Sequence, residues 1–119
     1  MDVYRLSIGY VAWVYKKAHD LGGIHRHARD QWLRAGQSIP LNIAEGNGKS
    51  TVPDRRRYFE IALGSALECA AIQDVLVVGE DLDKKESRER KIELIASPQC
   101  SVAWMEEVIA AKKTPTLIE

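Results

Sequence analysis

Apolar residues recur along the chain at intervals of three and four, the spacing of one face of an α-helix, whereas strand-like alternation is weak throughout. The first stripe comprises Val3, Leu6, Tyr10, Val14 and Leu21, and ends near Gly22-Gly23. The second comprises Ala28, Trp32, Ala35, Ile39 and Ile43, and runs to about Glu45. The periodicity predicts two amphipathic helices.

The third stretch, residues 54–78, carries two neighbouring apolar stripes. One comprises Tyr58, Ala62, Ser65, Cys69, Ile72 and Leu76; the other comprises Phe59, Leu63, Ala66, Ala70 and Val77. A helix with so wide an apolar surface is expected at the centre of a bundle or at a contact with another subunit.

A fourth helix is predicted after the capping sequence Asp83-Lys84-Lys85-Glu86. Its buried face is Ile92, Ile95, Val102, Met105 and Ile109, with Pro98 as an interruption. Four such helices joined by short loops predict an all-α, up-down-up-down four-helix bundle. We expect one domain over residues 1–113 and a disordered tail at 114–119.

The connection between the second and third helices, EGNGKST at residues 45–51, resembles the end of a phosphate-binding loop. That motif needs a glycine at position 43, which is Ile, and a preceding strand, so nucleotide binding is not supported. A helix junction explains the segment better. Gly46 and its neighbours tolerate positive φ where a helix ends, and Ser50 or Thr51 can cap the next helix. Pro40 lies inside the second helix opposite Gly36, which predicts a kinked but unbroken helix.

Charge is balanced overall, with 17 Lys and Arg against 17 Asp and Glu among 119 residues. The distribution is uneven: residues 1–57 hold 10 basic and 5 acidic residues, and residues 58–119 hold 7 and 12. Such asymmetry indicates a basic face, or complementary charges that meet between helices or subunits. The sequence shows neither a secretory signal nor an apolar run near the roughly 20 residues of a membrane span, which predicts a cytoplasmic protein.

Candidate catalytic and metal-binding residues are sparse. The three histidines all precede residue 28 and none follows a Glu by three positions, the spacing used in di-iron bundles. Cys69 and Cys100 lie in apolar helical patterns and are predicted to be buried free thiols. We therefore expect a non-enzymatic protein without a metal or other cofactor.

The strongest surface feature is a basic run at the start of the third helix. It comprises Arg55, Arg56 and Arg57, with Lys49 on the adjoining turn. A second basic group comprises Arg26, Arg29 and Arg34. Guanidinium groups on a first helical turn can bind phosphates, at a cost because cations oppose the helix dipole there. The alternative is a solvated turn whose charges pair with Asp54 or Glu60.

Several elements of this chain resemble the bacterial four-helix-bundle family of 23S rRNA intervening-sequence proteins. They are Ser38-Ile39-Pro40-Leu41-Asn42-Ile43-Ala44-Glu45-Gly46, Arg57-Tyr58-Phe59, and Ile61-Ala62-Leu63-Gly64-Ser65 with Glu68. The resemblance implies a cytoplasmic bundle without catalytic activity that assembles into a homopentamer. It also implies similarity in fold to the accessory proteins of diversity-generating retroelements, pentameric barrels that bind nucleic acid and a reverse transcriptase.

The signature positions carried over are Pro40, Asn42, Glu45, Gly46, Gly64 and Ser65, and their implied role is structural. Asn42 and Glu45 are suited to satisfying carbonyls freed by Pro40 or to pairing across a subunit boundary. The leading hypothesis is a non-enzymatic homo-oligomer that binds structured RNA or another nucleic acid through its basic residues; RNA or a nucleic-acid-processing protein is the expected partner besides further copies of the chain. The alternative is a protein-interaction scaffold with no nucleic-acid role.

Overall fold

The computed structural model describes residues 3–91, 93 and 94. This part of the chain forms four α-helices and no strand: α1 Val3–Ala18, α2 Arg26–Asn47, α3 Val52–Val78 and α4 Lys84–Lys91, with a 3₁₀ helix at Gly23–His25. Successive helices pack on one another, α2 on α3 most extensively. The all-α, up-down-up-down bundle is thereby confirmed. Three predictions concern residues outside the described ones: the later part of the fourth helix, the disordered tail and the burial of Cys100.

The predicted stripes of α1 and α2 form much of the core. The buried members are Val3, Tyr10, Val14, Leu21, Trp32, Ala35, Ile39 and Ile43. Leu6 and Ala28 are only partly buried and pack against the edge of this core. α2 continues without interruption through Pro40, as predicted, and the proline itself is buried.

The buried face of α3 lies between the two stripes predicted from its sequence. It comprises Arg55, Phe59, Ala62, Ala66, Cys69, Ile72, Gln73 and Leu76. Tyr58 and Ser65, predicted to be buried, are half-buried, and Leu63 is exposed. The observed face follows alternating steps of four and three residues, the spacing of a coiled-coil seam. Two polar residues, Arg55 and Gln73, therefore occupy core positions.

The opposite side of α3 remains apolar although it faces outward. Its exposed large apolar side chains are Ile61, Leu63, Leu67, Val75 and Val78. Among the described residues α3 is also the helix long and apolar enough to cross a membrane, with mean hydropathy 1.7 over 18 residues, of which 33% are buried. The expectation that no apolar run reaches this length was wrong. Only two charged residues, Glu68 and Asp74, interrupt residues 61–78.

A buried polar network joins all four helices. The Trp32 indole N–H donates to the Tyr10 hydroxyl over 3.2 Å, and that hydroxyl donates to the Gln73 side-chain oxygen. The Gln73 amide in turn donates to the carbonyl and the hydroxyl oxygens of Ser87, at 3.1 and 2.9 Å. Burial raises the pKa of Tyr10 above its ordinary value, so the hydroxyl stays a neutral donor. The network satisfies the polar Gln73 at its core position.

The start of α4 is fixed by its cap and by α1. The backbone N–H of Glu86 donates to the Asp83 carboxylate over 2.9 Å, which confirms the predicted capping arrangement. The Glu86 carboxylate accepts from the Trp13 indole at 3.0 Å and pairs with Lys17 at 2.9 Å. These two contacts, the indole first, hold the pKa of Glu86 below its ordinary value. Trp13 also packs edge-to-face on Trp32.

Candidate nucleic-acid interface

The α2–α3 junction is a tight capped turn. Thr51 has the extended backbone typical of an N-cap, and its hydroxyl accepts from the Asp54 backbone N–H at 3.3 Å. Pro53 occupies the first turn of α3, where its missing N–H costs nothing. The backbone of Gly48 donates to the carbonyls of Ala44 and Glu45. This confirms the predicted junction and its Thr51 cap.

Gly46 has a different role from the one predicted. It lies inside α2, and the described residues with positive φ are Gly23 and Glu80, so no residue of the junction uses that region. A Cβ atom at position 46 would lie 2.7 Å from two ring carbons of Phe59 and 3.2 Å from the Arg55 carbonyl oxygen. Glycine is required here because α2 and α3 approach closely, and not because the helix ends.

Arg55 does not lie on the surface with its two neighbours. Its side chain is 2% exposed, and its Nε donates to the carbonyl oxygen of Lys49 over 2.5 Å. One terminal nitrogen, Nη1, is buried without a hydrogen-bond partner among the described residues. Arg55 therefore links the start of α3 to the preceding turn. Because its side chain is buried within the single chain, Arg55 does not lie on the predicted phosphate-binding surface. Arg56 and Arg57 are exposed.

The surface of the junction is a cluster of two cations around one aromatic ring. The Arg57 guanidinium carbon lies 4.7 Å from the centre of the Tyr58 ring, and the Lys49 ammonium lies 5.1 Å from it. Lys49 also pairs with Glu45 one helical turn earlier, at 3.2 Å. The Glu45 carboxylate, with a smaller contribution from Tyr58, raises the pKa of the Lys49 ammonium. We call these three residues, together with the exposed neighbour Arg56, the junction cluster: Lys49, Arg56, Arg57 and Tyr58.

Tyr58 was assigned to the buried stripe from the sequence, so its place in this cluster was missed. The signal that could have found it is the dipeptide Arg57-Tyr58 at the start of a helix, next to a lysine on the preceding turn. Cation–π pairs of this kind contribute about 0.5–1 kcal/mol at exposed sites. They hold long basic side chains in defined positions, which lowers the entropy cost of binding an anion.

The second basic group lies at the other end of α2. Arg26 and Arg34 are exposed, whereas Arg29 is half-buried and donates to the Leu21 carbonyl and the Asp30 carboxylate, both at 3.1 Å. α2 has 22 residues, a length of about 33 Å at 1.5 Å per residue. Along α2, Arg26 lies about 32 Å and Arg34 about 20 Å from the end of the helix at Asn47, next to the junction cluster.

Of the other signature residues, Ser65 joins α3 to α2 and Asn42 bonds within α2, whereas Gly64 faces outward. Asn42 donates to the carbonyl and hydroxyl oxygens of Ser38, at 2.8 and 2.9 Å, and the Ser65 hydroxyl donates to the Ser38 hydroxyl at 2.7 Å. Pro40 has no N–H to donate to the carbonyl of Gly36, and Asn42 was expected to satisfy that carbonyl. Asn42 instead donates to the carbonyl of Ser38. Gly64 lies on the outward side of α3, with nothing within 4 Å of a Cβ built on it.

The described residues contain no group of three or more His, Cys, Asp or Glu side chains placed to hold a metal ion. His25 contacts the Asp81 carboxylate and joins the 3₁₀ helix to the turn between α3 and α4. Cys69 is fully buried, as predicted, and burial raises the pKa of its thiol to about 12, so it is a poor nucleophile.

Comparison with protein families matches residues 1–96 to the family described as 23S rRNA-intervening sequence protein. A comparison with curated proteins gave no match. The family match spans α1 to α4 and includes the junction cluster and the signature positions. Because it covers most of the 119 residues, the chain belongs to the 23S rRNA-intervening sequence protein family.

Proposed function

We propose that this protein is a non-enzymatic, cytoplasmic, self-associating bundle that binds structured RNA through its junction cluster. The observation that carries the proposal is the exposure of Arg56 and Arg57, the fifth and sixth residues of α3, with Arg57 and Lys49 over the same Tyr58 ring. The family description, which refers to 23S rRNA, supports RNA as the anionic partner.

Arg26 and Arg34 provide a second basic surface on the same molecule. Arg26 and Arg34 lie about 32 Å and 20 Å from the junction end of α2, so the two surfaces would contact different parts of a folded RNA. Arg55 is left out of the proposed interface, because its guanidinium already donates to the Lys49 carbonyl beneath the turn. Arg29 contributes less than its neighbours, because its guanidinium is engaged by Leu21 and Asp30.

Self-association is supported by the outward side of α3. Leu67 and Val75 are 55% and 63% exposed, and they share that side with Ile61, Leu63 and Val78. An exposed apolar surface of this kind, here interrupted by Glu68 and Asp74, is typical of an interface. We propose that copies of this chain associate through it, as the homopentamer implied by the family resemblance does. Several junction clusters on one assembly would raise RNA affinity without new contacts in any single copy.

The test is RNA binding across a salt series, with a labelled structured hairpin RNA as the probe. Each phosphate contact contributes about 0.7–0.9 to the slope of log K against log salt. We expect Arg56→Gln/Arg57→Gln to lower the slope by about 1–2 and to weaken binding. The matched control is Lys84→Gln/Lys85→Gln, which removes two exposed cations from the first turn of α4.

The control should bind as the wild type does. Equal losses in both double variants would mean that only net charge matters, and no binding of the wild type at low salt would remove the RNA proposal.

The second candidate function is a protein-interaction scaffold, and the observation in its favour is the same apolar side of α3. On this alternative the apolar surface binds a different protein and the junction cluster is solvated. A Leu67→Gln variant separates the two possibilities when its mass in solution is measured by light scattering. Self-association predicts a smaller species than the wild type, whereas Ile24→Gln, at an isolated residue that is 92% exposed, should leave the mass unchanged.

A further inference from the structure

We propose that the junction cluster binds an unpaired nucleobase, so that the preferred RNA partner is a single-stranded loop and not a continuous duplex. This inference rests on the proposed RNA binding and adds the class of RNA element. The juxtaposition that carries it is an aromatic ring with a guanidinium 4.7 Å from its centre, on the exposed first turns of a helix. Aromatic rings and guanidinium planes are the two kinds of surface on which proteins stack unpaired RNA bases.

Phosphate binding alone does not require Tyr58. A phosphate site needs cations and N–H donors, and Arg56 and Arg57 would supply the cations whichever residue occupied position 58. Here the ring is only half-buried, and two cationic side chains lie 4.7 and 5.1 Å from its centre. A base stacked on Arg57 or on the free part of the ring would therefore lie beside cations that can reach its flanking phosphates.

The support beneath the cluster is rigid. Arg55, which is buried, links α3 to the Lys49 carbonyl, and the Thr51 cap fixes the first backbone turn. Phe59 packs in the gap that Gly46 leaves open, so the residue next to Tyr58 is held against α2. Stacking sites on rigid elements lose little entropy when a base binds. The Glu45 carboxylate pairs with Lys49, so this ammonium is partly neutralised and the main phosphate contacts fall to Arg56 and Arg57.

An A-form duplex offers no comparable contact. Its bases are stacked on one another, its major groove is too deep and narrow for side chains to read, and its shallow minor groove displays 2′-hydroxyls and base edges but no free base face. The junction cluster could bind a duplex through charge alone. Stacking of one unpaired base is worth about 1–3 kcal/mol, which corresponds to an affinity ratio of about 5- to 150-fold in favour of the loop.

The experiment compares two RNAs with equal numbers of phosphates: a hairpin whose loop holds a 2-aminopurine base, and a blunt duplex. We expect the wild type to bind the hairpin more tightly by the ratio above, with quenching of 2-aminopurine fluorescence as the base stacks. Tyr58→Leu should lose both the preference and the quenching, while Tyr58→Phe, which keeps the ring, should retain both. Arg57→Lys keeps the charge without the planar guanidinium and should weaken quenching more than the salt slope.

The outcomes distinguish the two proposals. Equal, salt-dependent binding of hairpin and duplex, or an unchanged preference in a folded Tyr58→Leu protein, would overturn base stacking and leave the RNA proposal intact. Absence of binding to either RNA at low salt would overturn both. Thermal unfolding of each variant shows whether it is folded. Where Tyr58→Leu is unstable, the wild-type preference for the hairpin over the duplex and the weaker quenching in Arg57→Lys keep the comparison decisive.

Discussion

Replacing Gly46 with alanine tests whether the close approach of α2 and α3 sets the stability of the junction. The backbone at position 46 is helical, so alanine by itself would stabilise α2 by about 0.5–1 kcal/mol. The new Cβ would, however, lie 2.7 Å from two ring carbons of Phe59, a side chain that is 3% exposed and enclosed by core residues. Overpacking of this kind costs about 1–3 kcal/mol. We therefore expect a net loss of about 1–2 kcal/mol.

The assay is urea unfolding followed by helical circular dichroism. With a slope of about 2 kcal/mol per molar urea, Gly46→Ala should lower the midpoint by about 0.5–1 M. Gly9→Ala is the matched control, because Gly9 lies in the interior of α1 with nothing within 4 Å of a Cβ built on it, and it should raise the midpoint. The double variant Gly46→Ala/Phe59→Leu should recover part of the loss. A Gly46→Ala protein stabilised as much as Gly9→Ala would refute the close-approach argument.

Three further predictions use the same unfolding assay. Tyr10→Phe should cost about 1–3 kcal/mol, because it leaves the Gln73 oxygen buried without its donor, and a loss below 0.5 kcal/mol would contradict this. Glu86 has a lowered pKa in the folded state, so its contribution is present above the ordinary carboxyl pKa of about 4.3 and is lost as the pH falls through the folded value. The stability difference between wild type and Glu86→Gln should therefore shrink between pH 6 and pH 3, and a constant difference would count against the ionised contact with Trp13. Arg55→Ala should cost about 2–3 kcal/mol through its lost hydrogen bond and stem packing, yet leave the salt slope of RNA binding unchanged.

The helices and their caps follow from local rules, and these were predictable. Trp32, Ile39 and Ile43 are buried as the helical period requires, since no other face of α2 is apolar enough to compete. Thr51 and Asp83 cap the helices that follow them, because a short polar side chain can accept a backbone N–H three residues on without help from the rest of the fold.

The buried face of α3 was harder to predict, because the composition of this helix is nearly uniform around its circumference. With apolar residues on every side, periodicity alone could not choose between two stripes, and the true face lies between them. The spacing from Arg55 to Phe59 to Ala62 does contain the answer, in steps of four and three. This spacing was not recognised because charged residues are rarely fully buried, so Arg55 was grouped with the neighbouring cations Arg56 and Arg57.

The reason for a glycine at position 46 could not be obtained from the sequence. A glycine near a helix end is usually explained by positive φ, and only the distance to Phe59 shows that space is what matters here. Likewise, Lys49 and Tyr58 are nine positions apart, and their contact depends on the path of the four residues between α2 and α3.

The division of α3 into a core face, an apolar outward face and a basic N-terminal part links assembly to binding. If copies associate through the outward face, each assembly carries several junction clusters, and the second cluster to bind the same RNA does so at a high effective concentration. Leu67→Gln should then weaken RNA binding together with the fall in oligomer mass, although Leu67 lies about three helical turns from Arg56 and changes no charge. The intrinsic affinity of one cluster, measured with an RNA too short to span two copies, should stay at the wild-type value. A Leu67→Gln protein of reduced mass that binds a long RNA as tightly as the wild type would show that each copy binds alone.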